Sequence, residues 1–125
     1  MKVSTGGLRL EPGASRIAGR TEGGWIVGNR LYQPALLVSA AFAGTIPNLS
    51  LRSLDSVTLP DLDGVELLLL GTGGTLLRPS AAFTQACGKR GWRVEPMDSA
   101  AAARTFNVLA GEGRRVVAGF LLEPA

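Results

Sequence analysis

The run Val65-Glu66-Leu67-Leu68-Leu69-Leu70 constrains the fold of this chain more than any other stretch. Apart from one glutamate it is wholly apolar, and polar and apolar residues do not alternate along it. Such runs are typical of a strand buried on both faces, as in a parallel sheet that helices cover on both sides. The run therefore predicts the central strand of an α/β protein.

A helix is predicted over residues 79–90, after this strand and a glycine-rich turn. Pro79 is suited to the start of a helix and Gly91 to its end. The next strand is predicted at residues 92–95. A strand, a helix of about twelve residues and a second strand form a right-handed parallel crossover by strong preference. The helical stripe consists of Phe83, Ala86, Cys87 and Arg90.

A second helix is predicted to begin at Asp98, which is a good N-cap residue. Four alanines at residues 100–103 favour the helix, and Gly111 and Gly113 end it. The last strand is predicted at residues 116–122, with its direction left open. The buried stripe of this helix is predicted to consist of Ala102, Phe106 and Leu109.

The residues before Val65 are expected to pack around this unit. Two β-rich runs joined by a four-residue glycine turn predict a hairpin. Residues 40–60 carry the weakest pattern, although apolar residues three apart favour a short helix between Pro47 and Pro60. The predicted elements of this half are strands at residues 16–20, 25–27 and 36–38, turns at 21–24 and 28–30, and a helix at 51–57.

Length and composition fit one α/β domain over residues 1–125, since 46% of the residues are hydrophobic and 18% are charged. The single cysteine cannot form an internal disulfide, which indicates a reducing compartment. The absence of histidine removes the commonest general base and the commonest metal ligand, so we expect no metal and no cofactor. No signal peptide or membrane-spanning run is apparent, which predicts a cytoplasmic protein, with peripheral membrane association left open.

The basic pI of about 9.8 raises the question of nucleic-acid binding. Eleven of the thirteen basic residues are arginines, but they are scattered along the chain, and the only adjacent pairs are Lys89-Arg90 and Arg114-Arg115. No aromatic-rich strand is present on which bases would stack. The pattern therefore favours an ordinary arginine-rich surface.

The turn Gly71-Thr72-Gly73 is the first candidate binding site. It follows the central strand, and ligands of open α/β sheets bind beyond the carboxyl ends of the strands. Glycines allow successive backbone N–H groups to face an anion, and Thr72 adds a hydroxyl. Arg78 follows shortly after. The alternative is a tight turn that needs a positive φ, because neither a Walker loop nor a dinucleotide fingerprint is present.

Arg104, Thr105 and Asn107 form the second candidate site, on the second predicted helix. Arg104 and Asn107 are three residues apart and share a face. The alternative is a solvated outer face. Glu112 is a further candidate, although a surface ion pair with a nearby arginine explains it more simply. Cys87 has no histidine to activate it and is expected to be a small buried hydrophobe rather than a nucleophile.

Five short motifs in order resemble the small α/β family that includes mitochondrial respiratory complex I assembly factor 3. The resemblance covers residues 65–121 in detail. Ser99 stands where that family tends to have threonine, and Phe106 where it tends to have tyrosine. The motifs are Leu70-Gly71-Thr72-Gly73, Arg78-Pro79, Val94-Glu95-x-Met97-Asp98, Arg104-Thr105-x-Asn107-x-Leu109 and Glu112-x-Arg114.

The resemblance implies a three-layer α/β fold around a mixed sheet in which one strand runs against the others. It also implies that eukaryotic members help to assemble complex I with a partner assembly factor at the membrane, whereas bacterial members are largely of unknown biochemical function. The function expected for this chain is therefore that of a non-catalytic assembly or protein-interaction factor. The resemblance carries over no catalytic residue. The alternative hypothesis is a domain that binds a small anion through the Gly71-Thr72-Gly73 turn and Arg104. An enzyme is the least favoured class, since no base or nucleophile stands out.

Overall fold

The computed structural model describes residues 8–9, 17–21, 24–27, 30–32, 36–39, 42–45, 49–56 and 64–121. These residues form nine strands, two α-helices and one 3₁₀ turn, Leu54–Ser56. The strands are β1 (Leu8–Arg9), β2 (Ile17–Thr21), β3 (Gly24–Val27), β4 (Arg30–Tyr32), β5 (Leu36–Ser39), β6 (Phe42–Thr45), β7 (Leu67–Gly71), β8 (Arg93–Met97) and β9 (Val116–Phe120). The helices are α1 (Ala81–Lys89) and α2 (Ser99–Gly111).

Six strands form one mixed sheet in the order β1-β6-β5-β9-β7-β8. β7 pairs in parallel with β8 on one side and with β9 on the other. The predicted parallel crossover is therefore confirmed, and the last strand runs in the same direction as β7. β5 is antiparallel to β9. The mixed sheet is confirmed too, but both β5 and β1 run against the other four strands, because β6 pairs antiparallel with each of them.

The larger sheet has an apolar core on each face, with α2 on one side and α1 on the other. The three-layer α/β architecture is therefore confirmed. Leu67 and Leu69 pack with α2 in one core cluster, whereas Leu68 and Leu70 pack with α1 in the other. Since successive side chains of a strand point to opposite faces, a strand covered on both sides needs apolar residues at every position. This explains why β7 is apolar without alternation.

Each helix begins at a side chain that caps it. The Ser80 hydroxyl accepts a hydrogen bond from Phe83 N at 3.1 Å, so Pro79 precedes the cap rather than opening α1 as predicted. Asp98 caps α2 as predicted, accepting from Ala101 N at 2.8 Å. Gly91, which follows α1, has a φ of +84°, a conformation that glycine adopts without strain.

The buried stripe of α1 is narrower than predicted, whereas that of α2 also includes Ser99 and Ala103. On α1, Phe83 and Cys87 are buried, but Ala86 and the C-cap residue Arg90 are exposed. On α2, Ala102 and Phe106 are buried as predicted, and Leu109 is partly buried against the same core. The short α1 thus buries one large side chain, Phe83, and one small one, Cys87, against the sheet.

A second sheet, in the order β2-β3-β4, lies on the α2 side. Its Ile17 and Val27 belong to the same core cluster as α2. The predicted strands of the first half are confirmed as β2, β3 and β5, and β2 and β3 pair as the predicted hairpin. Thr21 and Gly24, predicted as turn residues, pair with each other within this hairpin, and residues 22–23 and 28–29 lie outside the described residues.

The sequence pattern does not predict β4 or β6. Both are short, and β6 contains glycine and alanine, which have low strand propensity. Arg30, predicted to lie in a turn, is instead the first residue of β4. The helix predicted over residues 51–57 is only a 3₁₀ turn at Leu54–Ser56, and residue 57 lies outside the described residues.

β8 forms one edge of the larger sheet. Arg93 N donates to Glu66 O at 2.9 Å, so the N–H groups of residues 93, 95 and 97 point toward β7. The backbone nitrogens of Val94 and Pro96 therefore point outward, and proline has no N–H. This edge offers a neighbouring strand a single N–H donor within β8, which limits further strand pairing.

Candidate functional site

The first candidate site lies where β7 ends. β7, β8 and β9 are parallel, so their carboxyl ends, Gly71, Met97 and Phe120, meet at one edge of the sheet. The chain moves from β7 to β8 through α1 on one face, and from β8 to β9 through α2 on the other. Such a reversal between neighbouring strands marks the place where open α/β sheets bind ligands.

Gly71 is required by a close approach of the chain to itself. A Cβ atom at this position would lie 3.2 Å from the Ser99 Cα and 3.0 Å from the Phe120 ring. Both distances are shorter than ordinary van der Waals contact. Gly71 therefore allows the first residue of α2 to pack against the end of the central strand.

Thr72 is 3% exposed and uses its polar groups within the chain. Its backbone N–H donates to Met97 O at 3.0 Å. Its hydroxyl donates to Thr75 O at 2.6 Å and accepts a hydrogen bond from Leu77 N at 3.0 Å. Thr72 thus holds the loop between β7 and α1 in place.

Gly73 and Ser99 form a reciprocal pair of hydrogen bonds. Gly73 N donates to the Ser99 hydroxyl at 2.8 Å, and Ser99 N donates to Gly73 O at 2.8 Å. Gly73 has a φ of +96°, as the tight-turn interpretation requires, and Ser99 is 2% exposed. The N–H groups of Thr72 and Gly73 therefore bond to protein acceptors in this structure.

Sequence reasoning missed the role of Ser99. No local pattern around a serine at the first position of a helix reveals a hydrogen-bond partner 26 residues away. The side chain is small enough to lie beneath Gly71, and its hydroxyl satisfies a buried backbone donor.

Asn107 connects α2 to the smaller sheet. Its Oδ1 accepts a hydrogen bond from Ile17 N at 2.8 Å, and its Nδ2 donates to Ile17 O at 2.7 Å. The side-chain amide thus pairs with the first residue of β2 much as a neighbouring strand would. Although Asn107 and Arg104 share a helix face, Arg104 is exposed and Asn107 is half-buried. The solvated-face alternative therefore fits Arg104 but not Asn107.

The remaining candidates are not brought together. Arg78 is exposed in the segment before α1, and Thr105 is half-buried on α2. Glu112 is the C-cap residue of α2, at the opposite edge of the sheet from Gly71. With a rise of about 1.5 Å per residue, the ends of α2 lie about 20 Å apart. The candidates thus occupy several regions rather than one pocket.

Glu112 does not form the predicted surface ion pair. Among the described residues the one ion pair found joins Arg93 Nε to Glu95 Oε1 at 3.7 Å, with both side chains largely exposed. Such pairs contribute about 0–1 kcal/mol to the free energy of unfolding. Glu112, Arg114 and Arg115 are all exposed to solvent.

Cys87 is a buried free thiol, as predicted. Burial raises the pKa of this thiol, and the nearby positive charge of Arg90 partly offsets the increase. A raised pKa lowers the thiolate fraction at neutral pH and with it the nucleophilicity of the sulfur.

An open groove of about 160 Å³ lies between the 3₁₀ turn and α1. Asp55 at its rim accepts a hydrogen bond from the Ser80 hydroxyl at 2.7 Å, and the guanidinium of Arg90 lies 4.2 Å from the centre of the Trp92 ring. No group of acidic, cysteine or histidine side chains within the described ranges is arranged to hold a metal ion. The residues that line the groove are Leu54, Asp55, Ala82, Phe83, Ala86, Cys87 and Arg90.

The described helices do not have the length and apolar composition that crossing a membrane requires.

The chain is 33% identical over 104 residues, 80% of its length, to NADH dehydrogenase [ubiquinone] 1 alpha subcomplex assembly factor 3 of Danio rerio. It spans 59% of that relative's length. It is also 34% identical over 113 residues to an uncharacterized Rhodobacter capsulatus protein, covering 90% of this chain and 88% of the other.

A solved structure shares the fold. The crystal structure of a Bartonella henselae protein, described as an outer membrane protein, has a TM-score of 0.73 and 26% sequence identity to this chain. The matched region covers 90% of this chain and 98% of the Bartonella chain. The model of the family described as proteins of unknown function (DUF498/DUF598) matches residues 16–121. The chain therefore belongs to the DUF498/DUF598 family.

Proposed function

We propose that this chain is a non-catalytic protein-interaction factor that assists the assembly of a protein complex. The supporting relative is named as an assembly factor of NADH dehydrogenase, and its similarity extends over four fifths of this chain. The observation that carries the proposal is that three of the polar candidate residues are already hydrogen-bonded within the chain. Thr72, Gly73 and Asn107 bond to the chain's own backbone and side chains. Groups engaged in this way support a scaffold rather than a reaction.

The experiment is deletion of the gene in the organism that encodes this chain. Solubilised membranes of the deletion strain are separated on a native gel and stained for NADH dehydrogenase activity. We expect less fully assembled enzyme and more of its subassemblies, restored when the gene is returned on a plasmid. An unchanged amount of assembled enzyme in the deletion strain would refute this function.

The proposal includes a protein partner and a cytoplasmic location beside the membrane. A tagged copy of the chain, cross-linked in cells before lysis, identifies the partner by mass spectrometry. Fractionation of the same cells tests the location. Recovery of the chain only in an outer-membrane fraction would contradict it.

A small-anion site remains the second candidate. The loop residues Gly74, Thr75 and Leu76 are exposed at the edge where open α/β sheets bind ligands, with Arg78 close behind. Since Thr72 N and Gly73 N are engaged, an anion would bind these later residues. Phosphate, sulfate and carboxylates should then raise the melting temperature. Arg78→Ala and Arg104→Ala separate the two arginines, and the lack of any shift with the wild-type chain excludes the site.

A further inference from the structure

The edge opposite Gly71 collects most of the basic side chains in residues 64–121. The amino ends of β7, β8 and β9 meet there, and both helices end there, because each helix runs antiparallel to the strands it joins. All of the basic side chains there are exposed. We name this surface the basic edge, and it consists of Lys89, Arg90, Arg93, Arg114 and Arg115.

Backbone hydrogen bonds fix the spacing of these residues. Glu66 N donates to Arg115 O at 2.9 Å, and Arg93 N donates to Glu66 O at 2.9 Å. The three residues thus lie side by side on adjacent strands, which places the backbones of Arg93 and Arg115 about 10 Å apart. Arg114 N donates to Leu109 O at 2.9 Å, which holds its backbone beside the end of α2.

The charge of the region is distributed unevenly. Residues 64–121 contain seven basic residues and four acidic ones. Five basic residues belong to the basic edge, where the exposed Glu66 and Glu112 also lie, so five positive and two negative charges leave a net charge of +3 there. The two others, Arg78 and Arg104, lie elsewhere. No described residue forms an ion pair with Lys89, Arg114 or Arg115, and Arg93 makes only the exposed contact with Glu95. A positive helix-end residue such as Lys89 complements the helix dipole, but Arg93 and Arg115 lie in or beside strands.

We infer that the basic edge is the surface on which an acidic segment of a partner protein docks, an inference that rests on the proposed function as an interaction factor. Four of the five side chains are arginines, whose planar guanidinium groups bind carboxylates bidentately. A surface of net positive charge also steers a negatively charged partner into contact.

Other anionic partners fit this surface less well. A peripheral membrane protein inserts an apolar face beside its basic residues, whereas the described residues expose only Val108 near this edge, at 59%. A single such side chain suits the rim of a protein interface. Single-stranded nucleic acid stacks its bases on exposed aromatic rings, and Trp92 at this edge is only 3% exposed.

The probe is fluorescein-labelled poly-L-glutamate, with its binding to the full chain measured by fluorescence anisotropy at several salt concentrations. The edge variant combines Arg93→Gln, Arg114→Gln and Arg115→Gln. The matched control combines Ala81→Glu, Thr84→Glu and Gln85→Glu, which lowers the net charge by the same amount at exposed positions of α1 outside the basic edge. Since exposed ion pairs are individually weak, we expect about tenfold weaker binding for the edge variant and less than about twofold for the control. Thermal denaturation checks that both variants fold.

Two results would overturn the inference. Equal losses in both variants would show that poly-L-glutamate responds only to net charge. Tighter binding to phosphatidylglycerol vesicles or to duplex DNA than to poly-L-glutamate, with the same dependence on the edge variant, would assign the surface to a different partner.

The edge variant also separates this inference from the proposed function. Returned to the deletion strain, it should fail to restore NADH dehydrogenase assembly, while the control variant restores it. Full rescue by the edge variant would remove the basic edge from the function and leave the proposed function standing. If deletion has no effect on assembly, the proposed function fails, and the anisotropy result still decides what this surface binds.

Discussion

Replacing Asn107 by alanine should destabilise the fold, because its half-buried side chain joins α2 to the smaller sheet. The change removes two hydrogen bonds to Ile17, of 2.8 and 2.7 Å, each contributing about 1 kcal/mol to the free energy of unfolding. It also leaves the Ile17 N–H and C=O partly buried without these partners, at a further cost of about 1 kcal/mol or more. Alanine has a higher helix propensity than asparagine, which offsets about 0.5 kcal/mol of this loss in the free energy of unfolding.

The expected net loss is about 2–3 kcal/mol. For a chain of this size that corresponds to a decrease in melting temperature of about 6–15 °C. Urea denaturation followed by circular dichroism measures the free energy, and hydrogen exchange should show faster exchange at the Ile17 amide. Arg104→Ala is the matched control on the same helix face, and we expect a change within about 0.5 kcal/mol.

Asn107→Asp adds a test that depends on pH. An ionised carboxylate accepts from Ile17 N but cannot donate to Ile17 O, whereas a neutral carboxyl group can do both. The folded state thus favours the protonated form, which raises the pKa of the introduced group above its unfolded value of about 3.9. The stability lost at neutral pH should return, relative to the wild-type chain, as the pH falls through this raised pKa. Equal stability of Asn107→Ala and Arg104→Ala, or a deficit in Asn107→Asp that does not change with pH, would refute the amide pairing.

Three further predictions concern other parts of the fold. Gly71→Ala should cost about 1–3 kcal/mol, because its Cβ would lie 3.2 Å from the Ser99 Cα, and Gly74→Ala, which meets nothing within 4 Å, should be nearly neutral in urea denaturation. Cys87 should react with a thiol reagent far more slowly in the native chain than in denaturant, since burial raises its pKa, and equal rates would contradict the buried position. Pro96→Val restores an outward N–H on the edge strand β8 and should promote concentration-dependent self-association, measured by light scattering.

The parts of the fold that local patterns determine could be predicted from sequence. The unbroken apolar run of β7 and the helical stripes around Phe83 and Phe106 depend on burial that repeats along a single element. The same patterns predict the correct succession of strands and helices from residue 65 onward. The single-domain extent of residues 1–125 stays a prediction, because both ends lie outside the described residues.

The candidate site could not be predicted in the same way, since its residues act over long sequence separations. The Gly73–Ser99 bond joins residues 26 positions apart, and the Asn107–Ile17 bonds join residues 90 positions apart. A glycine-threonine-glycine turn has the same appearance in sequence whether its N–H groups face an anion or a neighbouring serine. The short strands β4 and β6 could not be predicted either, because they form by pairing with other strands and not from a local pattern.

The positions of the polar residues indicate where the described part of the chain is free to interact. Ser99 fixes the start of α2 to the end of β7, and Asn107 fixes its middle to the smaller sheet, so a partner that used either group would have to break native hydrogen bonds. Arg114 and Arg115 face solvent, and no described residue forms an ion pair with them. Their removal should therefore cost little stability, since exposed charges contribute little to folding. A loss of assembly in a variant that keeps its melting temperature would then report on binding at the basic edge and not on the fold.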